Sequence, residues 1–314
     1  MKKLLLVLCI LLTLVGCGES DSGKKKVGVI QLVQHEALDK ATQGFVDVLN
    51  ETLGDEVDVD VQLASGDSAT CALIASNMVA EGYDLIMCNA TPALQAAAQA
   101  TTSIPVLGTS VTEYGVALNI ENFSGTVGGN ISGTSDLAPL DQQAQMIIDL
   151  VPSAKTVGLL YCTSEANSKY QIDVVEKYLK DKGLIVNVYS FPDSSALDLT
   201  VSQACDEIDA LYIPTDNACA DNGPVIANAA DNKNIPIITG EKSTLTSCGG
   251  LASLSIDYYE LGKTTGNMAL KILNGEANIS EMPIQYYENP VKLISKVKAD
   301  KYGVSIPEGY EAVD

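Results

Sequence analysis

The feature that most constrains this chain is an alternation of strand-like and helix-like segments that occurs twice. In the first half, strands are predicted over residues 27–33, 57–63, 84–88 and 105–109, and helices over 38–53, 69–80 and 92–100. After Pro139 the order restarts, with strands over 156–161, 184–190, 210–213 and 236–239 and helices over 166–182, 197–207 and 224–232. Such alternation with short connections predicts an α/β fold of parallel sheets with helices on both faces.

The two halves also resemble each other in sequence. KVGVI at 26–30 is echoed by KTVGLL at 155–160, and Asp-Leu-Ile at 84–86 by Asp-Ala-Leu at 209–211. Both halves close with Ile-Pro and a strand, at 104–105 and 235–236. Internal repetition of this kind predicts two similar Rossmann-like lobes, and the chain is longer than a single core of ~250–300 residues readily supports.

Ligands of parallel α/β sheets bind where the strands end, so the residues that follow the strands are the candidate contacts. In the first half they are Gln34, His35, Thr91 and Pro92. In the second half they are Ser164, Glu165, Asn167, Ser168, Thr215, Asp216, Asn217 and Glu241. If the two lobes turn these edges toward each other, they enclose a cleft, which is the expected binding site.

The N-terminus predicts export and a lipid anchor. Two lysines precede an apolar run from residue 4 to 15, which is too short to span a bilayer and fits a signal peptide over 1–16. Leu-Val-Gly-Cys at 14–17 has the pattern of a bacterial lipobox, so Cys17 is the predicted lipidation site and 17–26 a polar tether. The alternative is an ordinary secretory signal that happens to contain a cysteine.

Composition excludes several classes of ligand. The net charge of −21 argues against binding to nucleic acid. All 19 basic residues are lysines, so a carboxylate ligand has no guanidinium fork to bind it and needs hydroxyls, amides, backbone N–H groups or a lysine. After Cys9 and Cys17 six cysteines remain, without a C-x-x-C pair and with a single histidine, so neither a metal site nor any other cofactor is predicted. Their apolar contexts favour buried thiols.

The motifs together resemble a known family. VGVIQLVQHEALDKATQGF, AEGYDLIMCNATPALQAAAQAT, LLYCTSEANS, LYIPTDN and IDYYELGK, with Thr-Ser-Asp at 134–136, are similar to the TrpX-like substrate-binding lipoproteins of ABC importers. The resemblance covers residues 27–289 and implies a type I periplasmic-binding fold. It implies an extracytoplasmic, lipid-anchored monomer that binds an aromatic amino acid and delivers it to an ABC permease and its ATPase.

The resemblance also implies a domain organisation. It places 27–137 plus 256–286 in the N-terminal lobe and 138–255 plus 287–314 in the C-terminal lobe, joined by a three-strand hinge. The chain would cross between the lobes at 136–140, near Ser255 and at 286–291, with a helix over 258–274 returning to the first lobe. Ser135 and Asp136 at the first crossing and Asp257 at the second join the candidate contacts.

An α-amino acid needs three kinds of contact. For its carboxylate we expect the helix start at 164–168, where Ser164 could alternatively act only as the helix N-cap. For its ammonium the candidates are Asp216 and then Glu241, although Asp216 could instead cap a helix and Glu241 form a hinge salt bridge. Asp136 could serve either the ligand or the hinge. Tyr258 and Tyr259 could stack on a ring or dock the hinge helix.

Enzymatic functions are not predicted, because the only histidine is His35 and neither a G-x-S-x-G nor a complete G-x-G-x-x-G motif is present. Two alternatives to an aromatic amino-acid importer stay open from sequence. One is a binding lipoprotein for another solute, such as a branched amino acid, a nucleoside or a sugar. The other is a ligand-sensing module for a membrane kinase.

Overall fold

The computed structural model describes residues 23–313, which form two α/β lobes, each built on its own sheet. The strands are β1 Lys25–Gln31, β2 Val57–Leu63, β3 Leu85–Asn89, β4 Val106–Val111, β5 Ile131–Ser135, β6 Thr156–Cys162, β7 Ile185–Phe191, β8 Ala210–Ile213, β9 Ile237–Thr239, β10 Ala252–Ser255, β11 Gln285–Tyr286, β12 Val291–Ile294 and β13 Tyr310–Ala312. The helices are α1 Glu36–Leu53, α2 Ser68–Ala80, α3 Thr91–Ala100, α4 Tyr114–Leu118, α5 Leu140–Leu150, α6 Ala166–Asp181, α7 Ser194–Cys205, α8 Asn217–Asp221, α9 Gly223–Lys233, α10 Lys242–Ser247, α11 Tyr258–Leu273 and α12 Lys296–Tyr302.

The two sheets share one topology. The first has strand order β2-β1-β3-β4-β5-β11 and the second β7-β6-β8-β9-β10-β12-β13. In both sheets the first five strands therefore follow the same doubly wound order, which confirms the repetition seen in the sequence. The pairs are parallel except that β12 runs antiparallel to β10, so the second sheet is mostly parallel and not entirely so.

Helices cover both faces of each sheet because strand side chains alternate between two cores. In the first lobe, Val27 and Val29 pack with α1 and α11 on one face, whereas Ile30 packs with α2 and α3 on the other. In the second lobe, Leu159 packs with α5 and α6, and Leu160 with α7 and α9. This burial on both faces explains the continuous apolar runs of the central strands.

The chain passes between the sheets three times: after β5, after β10, and between β11 and β12. On the second passage α11 returns to the first lobe and lies against α1 at very short range. A Cβ on Gly262 would overlap the carbonyl oxygen of Ala41, and a Cβ on Gly44 would overlap that of Tyr259. Glycine at both contact points therefore fixes α11 to the first lobe.

The predicted strands and helices of both halves are present, with ends shifted by a few residues. The strands β5 and β10, the helices α4, α5, α8 and α10, and the C-terminal β11 to β13 and α12 were not predicted. Lys25 and Lys26 belong to β1, so the last two residues of the expected tether are part of the sheet. The predicted signal peptide over 1–16, Cys17 and the tether up to residue 22 lie outside the described residues. Between residues 23 and 313 no helix is both long and apolar enough to cross a membrane.

Candidate functional site

A cavity lies between the lobes where the carboxyl ends of both sets of strands meet. Its walls lie so close together that its free volume is about 10 Å³, roughly the space of one water molecule. Both lobes and the passages between them contribute its walls, which are formed by His35, Ala37, Leu38, Ser110, Asp136, Asn167, Thr215, Asp216, Asn217, Ala220, Glu241 and Tyr258.

Among residues 23–313, three buried polar atoms on this cavity have no hydrogen-bond partner. They are the hydroxyl of Ser110, Oδ1 of Asp136 and Oδ1 of Asn167, which come from the first lobe, the first passage and the second lobe. An unsatisfied buried polar group costs about 1–3 kcal/mol. Three such groups around one cavity indicate a place where a polar ligand supplies the partners.

Asp136 is the charged group among the three. Its Oδ2 accepts a hydrogen bond of 3.0 Å from the hydroxyl of Tyr258, the first residue of α11. Burial raises the pKa of Asp136 to about 6, and Glu241 adds to this, whereas hydrogen bonds from Thr112 and Tyr258 oppose it. A positive charge at the free Oδ1 would lower this pKa and stabilise the ionised form.

Ser110 lies at the carboxyl end of β4 in a left-handed backbone conformation, with φ of 53°. The register between β4 and β5 shifts between Gly108 and Val111, which includes this residue. On the neighbouring strand end, Ala90 has φ of 93°, and its N–H donates to the carbonyl of Thr109 over 3.0 Å. Such non-glycine conformations store strain and are characteristic of functional sites.

Ala90 leads directly into α3, whose first residue is Thr91. The hydroxyl of Thr91 is buried and has no hydrogen-bond partner within the part of the chain that the structure describes. Through the Ala90–Thr109 hydrogen bond, this helix start lies beside Ser110. Two unpaired hydroxyls at a helix N-terminus are a suitable environment for an anionic group.

Two buried acids, Glu165 and Asp216, support the wall on the second lobe. Glu165 accepts hydrogen bonds from the backbone N–H groups of Asn217 and Ala218 and from the Asn217 side chain. Asp216 accepts from the N–H groups of Cys162 and Cys219 over 2.7 and 2.9 Å, and caps α8. Burial and the neighbouring Asp216 raise the pKa of Glu165 to about 8, and burial raises that of Asp216.

His35 connects the lobes. Its Nε2 lies 3.1 Å from Oδ1 of Asn217, and its Nδ1 lies 3.4 Å from the hydroxyl of Ser243. Ser243 in turn donates to Glu241, which caps α10 through the backbone N–H groups of Ser243 and Thr244. The single imidazole therefore lies between two polar networks of the opposite lobe.

Seven of the candidate contacts predicted from the sequence line this cavity: His35, Asp136, Asn167, Thr215, Asp216, Asn217 and Glu241. The other candidates lie elsewhere. Gln34 is exposed, and Thr91 is buried at the start of α3 and is not among the residues that form the cavity walls. Pro92, Ser164 and Glu165 line a neighbouring crevice, and Asp257 caps α11 and lines another crevice. Ser135 is buried with its hydroxyl donating to the carbonyl of Thr112, and Ser168 hydrogen bonds to Asp216.

The residues of the expected carboxylate site at 164–168 have different environments, and the site stays a prediction. Ser164 is exposed, with its hydroxyl 3.0 Å from Sγ of Cys162, and Glu165 rather than Ser164 occupies the N-cap position of α6. The buried carboxyl groups of Glu165 and Asp216 also lie at this helix start, and an anion bound there would favour their protonated forms. The expectation that Ser164 caps the helix is therefore wrong.

Hydrogen bonding also bears on the alternatives given for Asp216 and Glu241. Asp216 uses both carboxylate oxygens as acceptors for backbone N–H groups. Glu241 is a helix cap rather than one half of a hinge salt bridge. Neither has a free oxygen comparable to Oδ1 of Asp136.

Four cavity residues were not predicted, Ser110, Ala37, Leu38 and Ala220, and Tyr258 was expected only to stack on a ring or to dock the hinge helix. Ser110 follows the fourth predicted strand, and the rule that ligands bind at strand ends, applied to that strand as well, would have identified it. The six cysteines between Cys71 and Cys248 are free and buried, which confirms the expectation from their apolar surroundings.

The fold and the enclosed cavity define a two-lobed solute-binding protein of the type I periplasmic-binding architecture. Residues 26–312 match the ABC transporter substrate-binding protein family, and the chain belongs to it. Members of this family bind small molecules outside the cytoplasm and work with the components of ABC transporters; they are not enzymes.

Individual relatives support this membership. A protein of Clostridioides difficile (strain R20291) described as a tyrosine-binding protein is 38% identical over 273 residues, which are 85% of this chain and 77% of that protein. The structure of an ABC domain of Streptococcus pneumoniae in complex with L-Trp is 33% identical, with a TM-score of 0.87 over 92% of this chain and all of that chain.

A third relative has a sequence identity close to that of the L-Trp complex but a lower structural similarity to this protein. The ligand-free, open structure of a substrate-binding protein with adhesive properties from Clostridium difficile is 35% identical and covers 92% of this chain and 99% of that chain. Its TM-score is only 0.70. At nearly equal identity, the present structure is therefore closer to the L-Trp complex than to the open form.

Proposed function

We propose that this protein captures an aromatic amino acid in the cavity between its lobes and delivers it to an ABC importer. The observation that carries the proposal is the set of three unpaired polar atoms, on Ser110, Asp136 and Asn167, around one enclosed cavity. The relatives described as binding tyrosine and L-Trp support the choice of an aromatic side chain.

The ammonium group of the ligand binds Oδ1 of Asp136, with Oδ1 of Asn167 as a second acceptor. A charged acceptor in a buried site gives a strong hydrogen bond to an ammonium. Asp136 is preferred to Asp216 because its second oxygen is already bound to Tyr258, which fixes the carboxylate and leaves Oδ1 free.

The carboxylate group of the ligand binds on the first lobe, at the hydroxyls of Ser110 and Thr91 and the N-terminus of α3. This placement separates it from the buried acids of the second lobe. It also uses the two strained strand ends, where Ser110 and Ala90 have positive φ angles.

The apolar part of the ligand contacts the nonpolar walls formed by Ala37, Leu38, Ala220 and the ring of Tyr258. Ligand groups that bridge both lobes favour the closed arrangement of the lobes. The greater similarity to the L-Trp complex than to the open relative supports this closure as the response to ligand. The hinge lies in the three passages at 136–140, 255–258 and 286–291.

Calorimetric titration with a panel of solutes tests the proposal. L-Tyr, L-Trp and L-Phe are expected to bind, and L-Leu, a nucleoside and a hexose to bind at least ~10-fold more weakly. L-Leu lacks the aromatic ring and forfeits ~1–3 kcal/mol of apolar contact, whereas the nucleoside and the hexose lack the ammonium and carboxylate groups that the polar atoms of the site would bind. Preferential binding of any of the latter three would contradict the aromatic assignment.

For the cellular context, we propose an extracytoplasmic protein held at the membrane by lipid on Cys17, acting as a monomer with a permease and an ATPase. The pattern at 14–17 supports the anchor. Cys17→Ser should move the protein from the membrane fraction to the medium or soluble extract, with Cys71→Ser as the matched control that leaves it in place. Retention of the Cys17→Ser variant on the membrane would overturn the lipid anchor.

A further inference from the structure

A chain of three buried hydroxyl groups crosses the first lobe from the hinge helix α11 to the strands beside the cavity. The Oγ1 of Thr265 on α11 lies 2.8 Å from Oγ1 of Thr134 on β5, which lies 3.1 Å from Oγ1 of Thr109 on β4. All three residues are completely buried. A buried hydroxyl that loses its partner is costly, so the chain fixes the relative positions of α11, β5 and β4.

The direction of these hydrogen bonds follows from the helix end of the chain. The hydroxyl of Thr265 donates to the carbonyl of Leu261, one turn earlier in α11, over 3.1 Å. Because a hydroxyl has a single proton, Thr265 accepts from Thr134, and Thr134 in turn accepts from Thr109. The hinge helix is therefore the anchor of the chain, and Thr109 is its first donor.

The other end of the chain lies in an irregular part of the sheet. The register of pairing between β4 and β5 shifts between Gly108 and Val111. Two residues of β4, Thr109 and Ser110, therefore lie opposite Thr134 of β5, which is a β-bulge. Bulges next to functional sites direct a side chain that regular pairing would place elsewhere. The hydroxyl bond between Thr109 and Thr134 spans this bulge, in which Ser110 has its left-handed conformation.

The same helix also holds the ammonium acceptor of the proposed site. Tyr258 and Thr265 are seven residues apart on α11, which is two turns, so they lie on one face of the helix. Thr134 and Asp136 are two residues apart at the end of β5 and point to the same side. Tyr258 binds Asp136 and Thr265 binds Thr134. One face of α11 therefore contacts both the acceptor for the ammonium and the chain that leads to Ser110.

We propose that Thr265 is a positioning residue for the ligand: through Thr134 and Thr109 its hydroxyl holds the bulge that presents Ser110 to the ligand carboxylate. Thr265 is not among the residues that line the cavity, so it acts through the chain and not by touching the ligand. The identity of the group at Ser110 rests on the proposed function, whereas the hold on the bulge is a property of the protein alone.

Calorimetry with two ligands separates positioning from a general packing role. Thr265→Val keeps the shape of the side chain and removes the hydroxyl. It should lower the affinity for L-tyrosine about 3- to 10-fold and change that for tyramine, which lacks the carboxylate, by less than about twofold. Thr265→Ser keeps the hydroxyl and should bind L-tyrosine within about twofold of wild type. An equal loss for both ligands in Thr265→Val, or no loss for either, would overturn the proposal.

The neighbouring residue Thr264 provides a matched control. Its hydroxyl donates to the carbonyl of Glu260, one turn earlier in the same helix, over 2.9 Å. Thr264→Val therefore removes the same kind of bond within α11 and leaves the hydroxyl chain intact. Both affinities should stay within about twofold of wild type. A loss of L-tyrosine affinity equal to that of Thr265→Val would assign the effect to the helix and contradict the role of the chain.

The conformation of Ser110 can also be followed without any ligand. In the ligand-free protein, the NMR shifts of its Cα and Cβ report the left-handed conformation, and Thr265→Val should move them whereas Thr264→Val should not. If L-tyrosine does not bind the wild type but these shifts move, the aromatic assignment is wrong and the positioning stands. If the shifts do not move, the positioning is wrong whatever the ligand. Should Thr265→Val not fold, Thr134→Val interrupts the chain at its middle and must give the same results.

Discussion

The hydroxyl of Tyr258 donates a 3.0 Å hydrogen bond to Oδ2 of Asp136, and this contact leaves Oδ1 as an unpaired acceptor on the cavity between the lobes. Asp136 follows β5 at the first passage between lobes, and Tyr258 begins α11 at the second. The contact therefore links the ligand site directly to the hinge.

The first prediction concerns ligand affinity. Asp136→Asn keeps an acceptor for Tyr258 but removes the charge opposite the ligand ammonium, so the affinity for L-tyrosine should fall about 10- to 100-fold. Calorimetry measures the change. Asp257→Asn is the matched control, because Asp257 caps α11 outside the cavity and its variant should bind within about threefold of wild type. Equal affinities for wild type and Asp136→Asn would exclude Asp136 as the ammonium acceptor.

The same substitution should stabilise the ligand-free protein at neutral pH. Burial raises the pKa of Asp136 to about 6, so the folded state holds the proton more tightly than the unfolded chain. The cost of the buried charge is fully present above about pH 6 and disappears as pH falls toward 4. Asp136→Asn should therefore gain about 1–3 kcal/mol at pH 7 and almost nothing at pH 4, measured by urea unfolding. A loss of stability at both pH values would contradict this account.

Two substitutions of Ser110 should distinguish the effect of backbone strain on stability from the effect of the hydroxyl on ligand affinity. At its positive φ of 53°, Ser110→Gly relieves backbone strain and should raise stability by about 0.5–1 kcal/mol, whereas Ser110→Ala should not. Both variants remove the hydroxyl and should weaken L-tyrosine binding about 3- to 10-fold. Thermal unfolding and calorimetry on the pair provide the comparison. If only the alanine variant loses affinity, the hydroxyl is not the contact.

The close contact between α1 and α11 predicts that a methyl group added between the two helices lowers the stability of the protein. A methyl group on Gly262 would overlap the carbonyl of Ala41, so Gly262→Ala should push the two helices apart and cost about 1–3 kcal/mol in urea unfolding. Asn267→Ala, on the exposed side of the same helix, should change stability by less than about 0.5 kcal/mol. Wild-type stability in Gly262→Ala would show that the close approach is not required.

The two-lobed architecture was predictable because strand–helix alternation and the repeated unit are local patterns. Strand ends also indicated where functional residues would gather, and seven candidates line the cavity. The sequence could not predict which polar atoms already have hydrogen-bond partners within the protein. Asp216 and Asp136 both follow strands. Both carboxylate oxygens of Asp216 accept hydrogen bonds from backbone N–H groups, whereas Oδ1 of Asp136 is unpaired within the described residues.

Other features depend on contacts between distant segments. Ser110 gains its left-handed conformation from the irregular pairing of β4 with β5, and β5 itself lies in a glycine-containing stretch without a clear strand pattern. The role of His35 arises from residues about 180 and 210 positions away. Sequence patterns over short windows do not contain that information.

The most direct test of the account compares L-tyrosine with 3-(4-hydroxyphenyl)propionate, which has the same ring and carboxylate but no ammonium group. In calorimetric titrations of the wild-type protein, the account predicts that the analogue binds at least ~100-fold more weakly, because Asp136 is then left buried, charged and unpaired. Binding of both compounds with similar affinity would contradict the assignment of this cavity as an amino-acid site organised around Asp136.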